Sequence, residues 1–152
     1  MQTTLTVEHP GTLTVPGRAH TEQRILSARL GGVHPAVVPT FYPSDLSDAG
    51  VWEFGLLSSE RVVSTQTLRT QIGDTPWQFA KATHLLAFAE SFPAVHRAGR
   101  IVALGQHEVV DTRSPKVMIL SNVGGERHLG LALDVGPWYP TDLFLLVMRP
   151  QT

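Results

Sequence analysis

His107, Glu108 and Asp111 form the sharpest group of chemically capable side chains in this chain. The run HEVVD holds half of the zinc motif H-E-x-x-H, but the second histidine is missing. That motif also needs a helix to place ligands four residues apart on one face, whereas the residues around His107 follow an apolar strand. In an extended segment His107 and Glu108 point to opposite sides of a sheet and cannot act on one substrate together. The other histidines (9, 20, 34, 84, 96 and 128) have no i, i+2 or i, i+4 partner, so no metal site is expected. Asp134 and Asp142 bracket VGPWYPT, an arrangement able to line a sugar or base site, or simply a rigid loop with turn chemistry. No serine sits in a nucleophile motif, and Gly124-Gly125 lacks the lysine and helix of a phosphate loop.

Aromatic pairs offer a different chemistry. Trp138 and Tyr139 lie between Pro137 and Pro140, and Phe41-Tyr42 lies between Pro39 and Pro43. A loop stiffened by prolines loses little entropy on association, and large aromatics anchor protein interfaces. Trp138, Tyr139 and Tyr42 are therefore the expected binding residues, partly exposed, with simple packing over the sheet as the alternative for the first two.

Elements must position these groups. Residues 74–92 (DTPWQFAKATHLLAFAESF) carry a helix signature: Thr75 as cap, Pro76 at the first position and Gln78 closing a capping box. Phe79, Ala82, Leu85, Leu86, Ala89 and Phe92 then share one arc, with Trp77, His84 and Phe88 at its edge. A helix over 75–92 is predicted, ended by Pro93. Thr4–Val7 and Thr12–Val15 repeat the tetrad TLTV around Pro10-Gly11, which predicts a small hairpin. Residues 20–30 lean towards a helix, and 37–42 leave room for a short strand. Val51–Leu57 and 61–70 (RVVSTQTLRT) read as paired strands. Ile101–Leu104, Lys116–Ser121, His128–Val135 and Leu143–Met148 read as further strands, with a hairpin at 122–125. KVMILS is apolar without alternation, as expected of a strand covered on both faces. The expected fold is α+β: one domain over 1–152, a largely antiparallel sheet covered by one main helix.

Bulk properties narrow the function. The chain has 152 residues, a net charge of −1, 42% hydrophobic residues and no cysteine. Disulfides, thiolate metal sites and cysteine nucleophiles are excluded. Residues up to Thr75 carry 5 basic and 7 acidic side chains, and the rest carry 7 and 6, so neither half has the basic excess of a nucleic-acid binder. The N-terminus lacks the features of a signal peptide, and the longest apolar run, 143–148, is too short to span a bilayer. A cytoplasmic protein without cofactor or membrane partner is expected.

One ordered pattern carries a resemblance. A strand with Trp52 and Phe54 precedes Pro76-Trp77 and a helix with Leu85-Leu86 and Phe88-Ala89; a strand entering Gly105-x-His107, then KVMIL, a turn and a closing apolar strand follow. From Val51 to Met148 this order resembles bacterial suppressor-of-fused-like domains. In those domains glycine and histidine are adjacent, whereas here Gln106 stands between them. The strand-then-Gly-Leu-Ser segment is echoed in Phe54–Ser58. The resemblance implies a protein-binding module, of the kind associated with toxin systems as immunity proteins, and not an enzyme. Near-neutral charge points such a module away from a nuclease partner and towards aromatic and shape contacts. The alternatives are a small hydrolase or transferase using His107, Glu108 or Asp134, and a structural subunit of a phage or secretion system.

Overall fold

Leu143–Met148 (LFLLVM) is apolar at every position, and the reason is its place at the centre of the fold. In the computed structural model, which describes residues 5–16, 32–33, 46–92, 100–107 and 113–150, this strand has a sheet neighbour on each side and a packed layer on each face. The strands in chain order are β1 (Leu5–Val15), β2 (Gly32–Val33), β3 (Gly50–Ser59), β4 (Gln78–Phe79), β5 (Arg100–His107), β6 (Lys116–Val123), β7 (Glu126–Leu133) and β8 (Leu143–Met148). Two helices accompany them among the described residues, α1 (Thr65–Ile72) and α2 (Ala82–Ser91), with a 3-10 turn at Leu46–Asp48. The strands form one sheet in the order β1-β3-β8-β5-β6-β7-β2, and β4 joins β8 off that path. The β2/β7 and β5/β8 pairs are parallel and the rest antiparallel. The protein is thus an α+β domain dominated by its sheet.

The pleat divides the core in two. Leu143, Leu145 and Val147 of β8 face one layer together with Ile101, Ala103, Met118 and Leu120, and α2 closes that side. Phe144 and Leu146 face the other with Val102, Leu104, Val117 and Ile119, closed by α1 and Trp138. Covering on both faces explains the unbroken apolar runs of β5, β6 and β8. The sequence predicted one covering helix; the second face is closed by a helix and a loop instead. No helix among the described residues is long and apolar enough to cross a membrane.

Three local expectations are corrected. The helix predicted over 75–92 begins at Ala82. Thr75 does not cap it: its amide and hydroxyl both bond the Ile72 carbonyl at 3.0 and 2.7 Å, closing α1 instead. Gln78 and Phe79 pair with Val147 and Leu146 of β8. A free strand edge outcompetes the local capping signal, because two residues of ladder satisfy backbone groups that a lengthened helix would leave at the sheet's border. The helix start is satisfied by other means: His84 Nδ1 accepts the Lys81 amide at 2.9 Å, and Gln106 Oε1 accepts the Ala82 amide at 3.1 Å. At its far end Arg127, buried, donates to the Ala89 and Phe92 carbonyls at 3.1 and 3.2 Å. Burial lowers the Arg127 pKa, though the side chain stays a cation suited to a helix C-terminus. All residues from Ala82 to Ala89 are buried, consistent with an apolar helix under a sheet.

The second correction concerns 61–70, which supplies α1 and not a strand. Ser64 is extended and its hydroxyl accepts the Thr67 amide at 3.2 Å, a helix N-cap. Thr65, Leu68 and Ile72 then fall on the buried face. The third is at the N-terminus, where β1 runs straight through the predicted hairpin turn. It pairs with β3 along its length and absorbs the Glu8–Gly11 irregularity as a register shift. Gly11 lies where a Cβ would strike the Phe54 ring, so glycine here serves packing and not a turn. The strands at Val51–Leu57, 101–104, 116–121 and 143–148, and the Gly124-Gly125 hairpin with φ of 61° and 85°, are observed, while the strand expected over His128–Val135 runs from Glu126 to Leu133, with Asp134 and Val135 in a turn. The expectations for residues 20–30 and 37–42 lie outside the described residues.

Between β8 and β5 the sheet forks. β5 pairs with β8 only at Ile101 and Val102, then its register with β6 shifts between Ala103 and His107. Into the opening comes β4: Ala80 N–H bonds the Leu145 carbonyl at 2.9 Å, and Gly105 N–H bonds the Ala80 carbonyl at 2.8 Å. Gly105 has no room for a side chain, since a Cβ would overlap the Phe79 carbonyl. Gly105→Ala should therefore destabilise the fold by about 1–3 kcal/mol, as overpacking does. Leu85→Ala, a truncation of a fully buried α2 residue, should cost about 2–5 kcal/mol. Urea denaturation of both variants checks these values; a loss below about 0.5 kcal/mol for either is incompatible with the packing described.

Candidate functional site

Trp138 and Tyr139 part company in the structure. A short antiparallel bridge joins Val63 to Trp138, each amide bonding the other's carbonyl at 3.0 and 2.8 Å. Adjacent residues of such a bridge face opposite ways. Trp138 turns inward and is 1% exposed, so the expectation of a partly exposed indole is corrected: it is a core residue. Its ring meets Phe144 edge-on at 5.5 Å, and its Nε1–H donates to Thr65 Oγ1 at 2.8 Å. Thr65 Oγ1 in turn donates to the Asp134 carbonyl. Tyr139 turns outward and is 50% exposed.

The loop carrying them is held from beneath. Arg100 grips Asp142 with two hydrogen bonds, Nε to Oδ1 at 2.9 Å and Nη2 to Oδ2 at 3.0 Å, and its guanidinium lies 5.5 Å from the Trp138 ring centre. Asp142 Oδ2 also accepts the Tyr139 amide at 2.9 Å. Asp142 is buried, so it is a positioning residue for Tyr139 and not a free acid. Gly136 adopts φ 88°, which glycine alone enters without strain.

The same bridge geometry sets Val62 across from Tyr139. Val62 is 57% exposed, and Val135, whose carbonyl accepts the Thr65 amide, is 65% exposed. Tyr139, Val62 and Val135 thus project from backbone segments tied to one another by main-chain hydrogen bonds. Tyr42, the remaining expected binding residue, lies outside the described residues, as do Glu108 and Asp111. His107 is exposed at the end of β5. Asp134 is half-buried beyond the end of β7, with β6 between it and His107. The structure therefore does not bring His107 and Asp134 together. Among the described residues no three His, Asp or Glu side chains are grouped as metal ligands.

A concave feature elsewhere on the molecule escaped sequence reasoning. At the fork, between the last turn of α1, β4 and the end of β5, lies an open cleft of about 540 Å³. Ile72 and Leu104 form its apolar base and Trp77 and Phe79 its wall, with Arg69, Lys81 and His107 at its margin. These residues come from separate elements with no motif linking them. Comparison with known proteins places nothing beside this chain: no protein-family model, no curated protein and no solved structure matches it.

Trp138→Ala should cost about 3–5 kcal/mol in chemical denaturation, the range for truncating a buried aromatic. Tyr139→Ala should change stability by no more than about 0.5 kcal/mol, as an exposed side chain does. Equal losses from the two would refute the inward and outward assignment.

Proposed function

We propose that this chain is a protein-binding module that meets its partner through Tyr139. The observation that carries this is the rigid presentation of Tyr139 beside Val62 on the Val63–Trp138 bridge, with the Tyr139 amide held by the buried Asp142. Three exposed apolar side chains on hydrogen-bonded backbone form a surface with little conformational freedom to lose, which favours association. A tyrosine is among the residue types most enriched as interface anchors. The specific form of the proposal is a cytoplasmic immunity-type protein of the suppressor-of-fused-like kind, binding a toxin encoded beside it. Its support is the motif order from Val51 to Met148; the near-neutral charge stands against a nuclease partner, so the partner would be one met by shape and aromatic contact.

The test is calorimetry of the purified product of the adjacent reading frame with wild type and with the Val62→Ser/Tyr139→Ser variant. A complex with wild type is expected, weakened in the variant by about 2 kcal/mol or more with the denaturation midpoint unchanged. Equal affinity for both proteins removes this surface from the interface. Absence of any complex overturns the immunity-type form of the proposal.

A further inference from the structure

The fork cleft has a chemical character of its own, distinct from the Tyr139 surface. The two lie towards opposite ends of α1: the bridge residue Val63 precedes the helix, while Arg69, Ile72 and Gly73 belong to its final turn and C-cap. Its volume of about 540 Å³ falls in the range of small-molecule sites. The base and wall are apolar and aromatic. Trp77 and Phe79 pack against the second core layer and are half-buried, so each keeps surface available on the cleft side.

The margin is one-signed. Arg69 is exposed, His107 is exposed, and Lys81 reaches into the same space, whereas none of the lining residues among the described ones is acidic. Lys81 is paired with Asp48 at 3.1 Å, so its charge is compensated and its position fixed. Arg69 is then the principal source of positive potential. A guanidinium presents a planar fork of donors matched to phosphate or carboxylate, and an indole face favours flat rings. We infer that the fork cleft is a binding site for a small aromatic anion: a planar ring on Trp77, with its phosphate or carboxylate on Arg69.

Trp77 makes the site directly readable. The chain has three tryptophans, and Trp52 and Trp138 are buried, so added ligand reaches only Trp77. Fluorescence titrations would use AMP and indole-3-acetate as the phosphate and carboxylate probes, with adenosine, indole and inorganic phosphate lacking one half of each. Calorimetry on the same probes supplies the affinity where a probe's own absorbance intervenes. At least one anionic aromatic should bind saturably, about ten-fold or more tighter than its neutral counterpart and than phosphate alone. Arg69→Ala should weaken it by about ten-fold or more, the loss of a charge-assisted contact. Trp77→Phe should abolish the fluorescence change while calorimetric affinity drops by a smaller factor. Val62→Ser/Tyr139→Ser, altered at the other end of α1, should bind as wild type does, which separates this site from the protein-binding surface. Failure of both anionic probes to saturate overturns the inference. So does equal binding of neutral and anionic partners, or an affinity unaffected by Arg69→Ala in a protein whose denaturation midpoint is unchanged.

Discussion

The edge of β8 that faces β5 is shared between two strands, and this constraint organises the molecule. β3 pairs with the other edge from Glu53 to Leu57. On the facing edge, Leu143 and Phe144 pair with β5, and Leu146 and Val147 pair with β4. A strand buried on both faces cannot leave backbone donors and acceptors unpaired without a cost of about 1–3 kcal/mol for each. Once β5 diverges after Val102, some other segment must complete the ladder. The chain around Gln78 does so. That requirement draws Trp77 and Phe79 out of the helix their sequence favours, shortens α2 to begin at Ala82, and demands glycine at 105. It also opens the cleft, since a diverging strand leaves space between itself and the inserted one.

A second network secures the face of the sheet that α1 closes. Trp138 fills the layer beside Phe144, Thr65 satisfies its indole N–H, and the Asp134 carbonyl receives the Thr65 hydroxyl. The first residue of α1 is thereby tied to the loop that follows β7. Arg100 on β5 and Asp142 before β8 tie the same loop to the central strands. Asp142 is buried while Arg100 keeps about a third of its side chain in solvent, so the pair is a half-buried one. Its chief role is geometric: a charge left in this position without a partner would be costly, which holds the loop in one conformation.

These two devices place different chemistry at the two ends of one short helix. Near its start, a rigid loop displays Tyr139 with Val62 and Val135. Beyond its end, the fork gathers Arg69, Trp77 and His107 around an apolar base. A similar economy holds at the 3-10 turn. There Trp52 Nε1–H donates to the Asp48 carbonyl at 2.7 Å, Asp48 pairs with Lys81, and Arg149 stacks 3.9 Å above the Trp52 ring while bonding the Ser47 and Ala49 carbonyls. Polar groups on this sheet mostly fasten loops to strands, while Arg69 on α1 lines the cleft.

Much of the sheet was legible in the residues themselves. Alternation marked Trp52, Phe54 and Leu56; unbroken apolarity marked 116–121 and 143–148; Gly124-Gly125 marked the hairpin. Each of these signals reports burial on one or both faces, a property that a strand's own side chains carry. The burial of Leu85 and Phe88 was legible for the same reason. Pairing was not, because backbone hydrogen bonds leave no trace in side-chain type. Hence Pro10-Gly11 read as a turn though β3 was available to hold the chain straight, and Thr75–Gln78 read as a helix start though β8 offered an edge. Ser64 did carry a capping signal for α1, masked by the β-branched residues around it. The candidate sites divide likewise. Tyr139 could be named from its proline-flanked loop, but only the Val63 bridge decides that it faces out while Trp138 faces in. The cleft joins α1, β4 and β5 through a fork that no spacing in the chain encodes, so only the tertiary structure brings its residues together.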